Sequence, residues 1–217
     1  MVITRLEKAE QNKKGMGRAS SRSSKIKVYL DEEYAFPIDE IILEEYKLKE
    51  GMELTAEVHQ ELLWKVVFNR SKQKALTLLK FHDRTEAELT QRLREEGYPE
   101  PILQQTIQYV SEYGYLNDVR YASNYIQTRK SDKSRLVLTA ELTAKGIPKD
   151  IIQHLMLTEY TDQEEDPELE AIRKAIHRKT KDPSSLDKHG RQKLMAHLYR
   201  KGFSGENIRK VLEVNYE

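Results

Sequence analysis

Gly114-Tyr115-Leu116-Asn117-Asp118-Val119-Arg120-Tyr121-Ala122-Ser123-Asn124-Tyr125-Ile126 is the stretch on which the chain's organisation turns. Gly114 suits the left-handed conformation that ends a helix. Asn117 and Asp118 supply side chains of the kind that cap a helix N-terminus, directly ahead of an apolar-periodic run. Val119, Ala122, Tyr125 and Ile126 then fall at i, i+3, i+6 and i+7, so they are predicted to share one face. A helix end, a short turn and a new amphipathic helix follow one another in thirteen residues.

The same grammar recurs on either side. Arg92-Leu93-Arg94-Glu95-Glu96-Gly97-Tyr98-Pro99 aligns without gaps with Glu141-Leu142-Thr143-Ala144-Lys145-Gly146-Ile147-Pro148 and with His197-Leu198-Tyr199-Arg200-Lys201-Gly202-Phe203-Ser204. Each copy continues at the same offsets: Ile102, Leu103 and Ile107; Ile151, Ile152 and Met156; Asn207, Ile208 and Leu212. The glycines lie 49 and 56 residues apart, a repeat-protein spacing. Each is read as the C′ residue of a helix. The following Tyr98, Ile147 or Phe203 then packs on Leu93, Leu142 or Leu198, as a Schellman motif requires. Pro99, Pro148 and Ser204 suit the start of the next helix. A further amphipathic helix precedes each copy, at about 71–82, 117–130 and 167–180. Thr85 with Glu88 reads as a capping box.

The expected fold is therefore mainly α: a tandem, curved array of three three-helix repeats of either handedness, over 71–116, 117–160 and 161–217. A small ββα module at 25–70 precedes it. There Ile26, Val28 and Leu30 alternate with polar residues, Asp31-Glu32-Glu33 turns the chain, and Tyr34-Ala35-Phe36 forms the return strand. Pro37 is expected to end the hairpin, Ile38–Tyr46 to be a short helix, and Thr55 to open a long helix towards Phe81. Residues 1–24, rich in Lys, Arg, Ser and Gly, read as a flexible basic arm. Removing residues 1–70 is expected to leave the array intact.

Composition agrees. Of 217 residues, 34% are charged and 38% hydrophobic, with few Gly and Pro, a bias towards helix. With no Cys, disulfides and thiolate metal sites are excluded. No stretch approaches the roughly 20 apolar residues of a membrane span, so a cytoplasmic protein without a membrane partner is expected. Charge alternates in blocks: eight Lys/Arg against two acids in 1–30, two against eleven in 31–63, and twelve against eight in 166–217, for a net charge of +1.

The stretch Gly114-Tyr115-Leu116-Asn117-Asp118-x-Arg120-Tyr121-Ala122, together with Ala75-Leu76, Leu79, Arg84-Thr85, Glu88-Leu89 and Leu142-x-x-Lys145-Gly146-Ile147, resembles the RecX family. Gly97 and Gly202 belong to the same structural signature. The likeness covers roughly 71–217, and 26–63 more loosely. It implies a regulator of homologous recombination in DNA repair and the SOS response, one that binds RecA and its filament on single-stranded DNA and modulates, usually inhibits, ATP hydrolysis and strand exchange. It also implies a partner protein rather than a cofactor, and a monomer is expected.

The residues themselves offer little catalytic chemistry. There is no phosphate loop and no His-x-x-x-His pair, and His189 and His197, eight apart, lack evident carboxylate partners for a metal. Asp118 is more simply a helix-terminal residue than an acid–base group. An enzyme is not expected. Binding has better candidates in three basic rows: Arg129, Lys130, Lys133 and Arg135; Arg173, Lys174, Arg178 and Lys179; Lys188, Arg191, Lys193, Arg200 and Lys201. These are suited to DNA phosphates or to acidic patches on RecA, against the plainer reading of solvated helix faces. Tyr109, Tyr113, Tyr115, Tyr121 and Tyr125 are expected to pack between helices more than to stack on bases. The competing functional class is a general DNA-binding protein built of helix-turn-helix-like repeats.

Overall fold

A computed structural model of the chain describes residues 1–8, 25–161 and 165–214. They form a mainly helical protein that divides into two compact units, Met1–Arg84 with Glu88–Leu116, and Thr85–Ala87 with the chain from Asn117 onward.

The first unit opens with an antiparallel sheet of order β1-β2-β3, formed by Ile3–Lys8, Lys25–Leu30 and Glu33–Asp39. In β2, Ile26, Val28 and Leu30 are buried and alternate with Lys25, Lys27 and Tyr29, the period of a half-buried strand. Asp31 and Glu32 both take positive φ, 49° and 72°, as a two-residue hairpin turn matched to strand twist demands. Pro37 does not end the hairpin. It sits inside β3 opposite Lys27, where an edge strand can accommodate a residue without an N–H. The helix expected from Ile38 is accordingly shorter, α1 at Glu40–Glu45.

Residues 3–8, expected within the basic arm, are strand β1, and the module has three strands rather than two. Only Ile3 of that strand is fully buried, so it carries no alternating pattern for a sequence reading to find. Its place is decided by pairing with β2 and by the loop at 51–52, where Ile3 N–H donates to the Met52 carbonyl and Gly51 N–H to that of Ile3. Residues 9–24 of the expected arm lie outside the described residues.

The long helix begins at Thr55, whose hydroxyl accepts from Val58 N–H. It runs as α2 (Ala56–Glu61), a π-helical turn (Leu62–Val67) and α3 (Phe68–Phe81). α4 (Glu86–Glu95) and α5 (Glu100–Glu112) complete the first repeat, with α3 packed on α5. At that crossing Thr106 donates to Ser71 over 2.8 Å, so two fully buried hydroxyls satisfy one another. One hydrophobic core runs through both parts, from Ile3, Val28 and Phe36 to Leu89, Leu93, Ile102 and Val110. A cut at residue 70 would therefore strip cover from the first repeat rather than release it intact.

Glu96 ties these parts together. Its carboxylate pairs with Lys25 of β2, with Lys74 of α3 at 2.7 Å and with Arg92 of α4 at 3.5 Å. Burial would raise its pKa, but hydrogen bonds and charge from Lys25 and Lys74 win and lower it to about 2. A second ion pair, Arg70 with Asp39, joins α3 to the end of β3.

The second unit holds α6 (Asp118–Gln127), α7 (Arg135–Ala144), α8 (Lys149–Thr161), α9 (Pro167–Lys179), α10 (Lys188–Arg200) and α11 (Gly205–Val214). Side chains of Asn117, Ser134, Asp166 and Asp187 cap α6, α7, α9 and α10. The expected face of α6 is corrected in one place: Ala122 and Ile126 are buried, but Val119 is 47% exposed. The N-cap of α6 is Asn117, one residue ahead of Asp118. The Asp118 carboxylate accepts from the backbone N–H of Glu86, at the start of α4.

The glycine joints follow the sequence reading closely. Gly97, Gly146 and Gly202 have φ of 91°, 81° and 79°. The next residue's N–H returns to the carbonyl of Leu93, Leu142 or Leu198 at 3.1–3.3 Å, and both apolar partners are buried. Gly114 makes the same turn, with Tyr115 N–H on Val110 O at 2.9 Å, yet here Tyr115 is exposed and Leu116 is buried. The joints are also packing points. A β-carbon on Gly146 would overlap that of Ala87; one on Gly202 would lie 2.9 Å from the Ser134 hydroxyl and 3.2 Å from Leu136. Thr85 and Ser134, equivalent cap positions, donate to the carbonyls of Lys145 and Lys201, one residue before each glycine, at 2.6 and 2.8 Å.

These contacts set a graded outcome. Gly114→Ala meets open space and should cost only the left-handed penalty, about 1–2 kcal/mol. Gly146→Ala adds overpacking against Ala87 and should lose a further 1–3 kcal/mol or about that, measured by denaturant unfolding. Equal losses would contradict the packing role. For Glu96, the folded carboxyl titrates below the unfolded one, so its contribution is present above about pH 4.5 and fades as pH falls towards 2. The shift corresponds to about 3 kcal/mol, and Glu96→Gln should flatten that limb of the acid-unfolding curve.

Candidate interaction surface

The basic rows predicted from sequence meet different fates in the second unit. α9 buries Ala171, Ile172, Ala175 and Ile176, which turns Arg173, Lys174, His177 and Arg178 to the other side. Arg173 is held by Glu165, while Lys174 meets Glu170 at 2.9 Å and Asp132 at 3.8 Å. Arg178 reaches Asp132 at 3.0 Å.

Near α6 and α7, Lys130 is mostly buried and donates to the Glu159 carbonyl at 2.8 Å, with the Glu159 carboxylate 3.8 Å away. Lys133 pairs with Glu141, which also accepts from the Tyr125 hydroxyl; hydrogen bonding to Lys133 is the main cause that holds the Glu141 carboxyl below its ordinary range. Arg129 lies 4.0 Å above the Tyr125 ring. Arg135 pairs with Asp166 at 2.6 Å and sits 4.1 Å over Tyr160.

Arg135 belongs to a buried polar knot. Its backbone N–H donates to Glu168, which is 2% exposed and also accepts from Asn207 at 2.8 Å; Asn207 reaches Asp166 as well. The knot joins the N-termini of α7 and α9 to α11, so Arg135 serves the fold. Sequence inspection placed Asn207 in the third repeat copy but could not pair it or Glu168 with partners 33 to 41 residues away.

The third row differs. Arg191 donates to the Leu186 carbonyl at 3.1 Å. Lys179, Lys188, Lys193, Arg200 and Lys201 are exposed and form no ion pair with another described residue. On α10, Lys193, His197, Arg200 and Lys201 fall at i, i+4, i+7 and i+8, one side of the helix beside the buried Leu194 and Leu198. Lys179, the last residue of α9, joins them. His197 records the convergence: burial, then the charges of Lys201, Lys179 and Arg200, hold its imidazole below the usual histidine range. Like charges left together without carboxylates repel, a cost that a counter-anion would relieve.

The tyrosines divide too. Tyr113 and Tyr115 are exposed, against expectation, while the Tyr109 ring lies 4.6 Å from that of Tyr113, tilted by 40°. Tyr121 and Tyr125 are half-buried, near-parallel rings with Lys145 over both at 5.5 and 5.9 Å. Among the described residues no helix is long and apolar enough to cross a membrane, and no group of three His, Asp or Glu side chains is placed to hold a metal.

This partition is measurable. Arg135→Glu, which breaks the knot, should destabilise the protein by about 1.5–3 kcal/mol and lower its Tm. Lys193→Glu with Arg200→Glu should leave Tm unchanged or raise it, since it relieves repulsion. A loss of stability in the second variant as large as in the first would show that the patch is structural.

Family models describing the first, second and third three-helix domains of RecX match residues 72–109, 117–156 and 166–212. The regulatory protein RecX of Caldanaerobacter subterraneus subsp. tengcongensis is 30% identical over 99% of this chain and 100% of its own length. That of Bacillus subtilis is 30% identical over 90% of this chain and 74% of its own. A crystal structure of regulatory protein RecX superposes with a TM-score of 0.61, covering 98% of both chains at 24% identity. One of RecX from Lactobacillus salivarius gives 0.58 at 25% identity, covering 68% of this chain and 96% of its own. With all three helical domains matched in order and a relative aligned from end to end, the chain belongs to the RecX family of regulatory proteins.

Proposed function

We propose that this protein is a non-catalytic cytoplasmic regulator that binds RecA and its filament on single-stranded DNA and lowers ATP hydrolysis and strand exchange, acting in recombination, DNA repair and the SOS response. The observation that carries this reading is the end-to-end alignment with a RecX regulatory protein. In this reading the array over 71–116, 117–160 and 161–217 is the binding element, acts as a monomer without cofactor, and is capped by the N-terminal sheet, which shares the first repeat's core. The fold supports it in a second way. Most basic side chains of the first two rows are engaged by carboxylates or rings, leaving the exposed cations of α9 and α10 for a polyanionic partner such as filament-held DNA or an acidic face of RecA.

The same unpaired cations favour, as a second reading, a general DNA-binding protein. The two readings part on concentration. RecA's ATPase, driven by single-stranded DNA, should fall when this protein is titrated in at concentrations where it leaves naked DNA of the same sequence largely unbound at matched salt. Inhibition well below one protein per RecA would indicate filament capping or disassembly. No effect at excess would overturn the regulatory reading, and slowing only once naked DNA is saturated would transfer it to simple competition.

A further inference from the structure

We propose that the cleft between the outer face of the N-terminal sheet and the turn that ends α4 is a binding site for a small aromatic carboxylate, with Lys27 holding the carboxylate and Tyr34 the ring. The source is either a free aromatic acid or the carboxyl end of a peptide whose last residue is aromatic, since both present the same group. The site belongs to the first unit, not to the basic rows, and it stands independently of the regulatory reading because its occupation is a property of this chain alone.

Strand register builds the floor. On β2, Lys25, Lys27 and Tyr29 point away from the core that Ile26, Val28 and Leu30 enter. Across the ladder Lys27 faces Pro37 and Tyr29 faces Tyr34. Glu95, Glu96 and Gly97 close the cleft from the end of α4, leaving a volume of about 270 Å³. That is just under the roughly 300 Å³ at which sites for small organic molecules begin, so there is room for one ring and its carboxylate.

Tyr34 is an aromatic wall set in place before any ligand arrives. Its hydroxyl donates to the Gly97 carbonyl at 2.6 Å, and it fills the space that a β-carbon on Gly97 would need. The Tyr29 ring meets it edge-on at 5.7 Å. Tyr29 is itself fixed by its bond to Glu7 at 3.0 Å and by Arg5, 3.8 Å from its ring centre. Yet Tyr34 stays 41% exposed. A ring immobilised at its tip and its edge, with much of its surface still open, offers stacking area at little cost in side-chain freedom.

Charge selects the other half of the ligand. Lys25 is committed to Glu96, which Lys74 and Arg92 also hold, and Glu95 pairs with Arg92 at 3.1 Å. Lys27 forms no ion pair with another described residue. Its cross-strand neighbour Glu7 is engaged by Tyr29 and Arg5. Around the cleft Lys25, Lys27, Lys74 and Arg92 thus face two carboxylates, and the uncommitted group is an ammonium. An anion is favoured there. Carboxylate fits better than phosphate. The wall is the C-terminal end of α4, the negative end of a helix dipole, and a single ammonium lacks the cluster of N–H donors that phosphate sites assemble.

Isothermal titration and amide NMR on the full chain test this with phenylacetate and with a short neutral peptide ending in phenylalanine. Phenylacetamide, acetate and the same peptide as its carboxamide are the controls. Phenylacetate, the peptide or both should bind saturably, raise Tm and move the amide signals of Lys27, Tyr34 and Gly97; which of them binds identifies the source. The controls should do none of this. Lys27→Gln should weaken binding by about tenfold or more, the loss of one charge-assisted hydrogen bond. The Tm of its ligand-free form should be unchanged, because Lys27 leaves no ionic partner stranded. Lys27→Arg should restore binding. Tyr34→Phe, which keeps the ring but releases it from Gly97, should weaken binding by a smaller factor.

No saturable binding of either probe overturns the site, as do signals that move only elsewhere in the chain. Phenylacetamide binding as tightly as phenylacetate, or unchanged affinity in Lys27→Gln, overturns the carboxylate assignment. Acetate binding as tightly as phenylacetate overturns the part given to the ring. RecA's ATPase decides the regulatory reading separately, and none of these outcomes depends on it.

Discussion

A helix that must stop, reverse and pass its last apolar side chain against the residue beyond the turn needs one position with positive φ. For a residue with a β-carbon that conformation costs about 1–2 kcal/mol, and only glycine takes it freely. This chain meets the requirement at Gly97, Gly146 and Gly202, each time with a leucine four residues earlier and an apolar residue directly after. The absence of a side chain has a second use there. Ala87 occupies the space beside Gly146, the Ser134–Leu136 turn that beside Gly202, and the Tyr34 hydroxyl that beside Gly97, where it also donates to the glycine carbonyl at 2.6 Å. One residue thus ends a helix, sets a hydrophobic clasp and admits the neighbouring module, which is why the rest of the packing depends on it.

Charge is spent in two ways. Around Glu96, and in the knot of Arg135, Asp166, Glu168 and Asn207, ionic and polar groups are gathered, partly desolvated and satisfied, so removing one partner leaves another stranded. On the exposed side of α9 and α10, the charges of Lys201, Lys179 and Arg200 act on His197, and among the described residues no carboxylate forms an ion pair with them. The first arrangement holds elements together and the second opposes folding slightly. A surface that keeps such repulsion is a surface available to an anion.

The N-terminal sheet illustrates how a module too small to be stable by itself acquires a core. Three short strands and one long helix cannot bury enough surface alone. Here Val28, Phe36 and Val67 share a single cluster with Ala75, Leu89 and Leu93 of the first repeat, and Glu96 binds the sheet to α3 and α4. The first repeat therefore has its open side covered from the N-terminal side, the role of a cap in a repeat array.

The sequence by itself determined what is local and periodic. Helix ends, the glycine joints and the leucine clasps were legible because each is written within eight residues; the threefold recurrence made the repeat recognisable, and the Gly114–Ala122 stretch carried the family resemblance. The hairpin turn at Asp31–Glu32 was legible for the same reason. Only the tertiary structure decided the rest. Strand β1 was hidden because its pairing partner lies about twenty residues on and only Ile3 is buried. Asn117 and Asp118 both looked like caps of α6; Asn117 is the cap, and Asp118 also accepts from the Glu86 amide, 32 residues back. The basic rows looked alike in sequence, since a lysine or arginine carries the same charge whether or not a carboxylate awaits it. Asp132 and Asp166 reach Arg178 and Arg135 from 46 and 31 residues away. Which cations remain for a partner is thus a property of long-range geometry, set by where each carboxylate comes to rest.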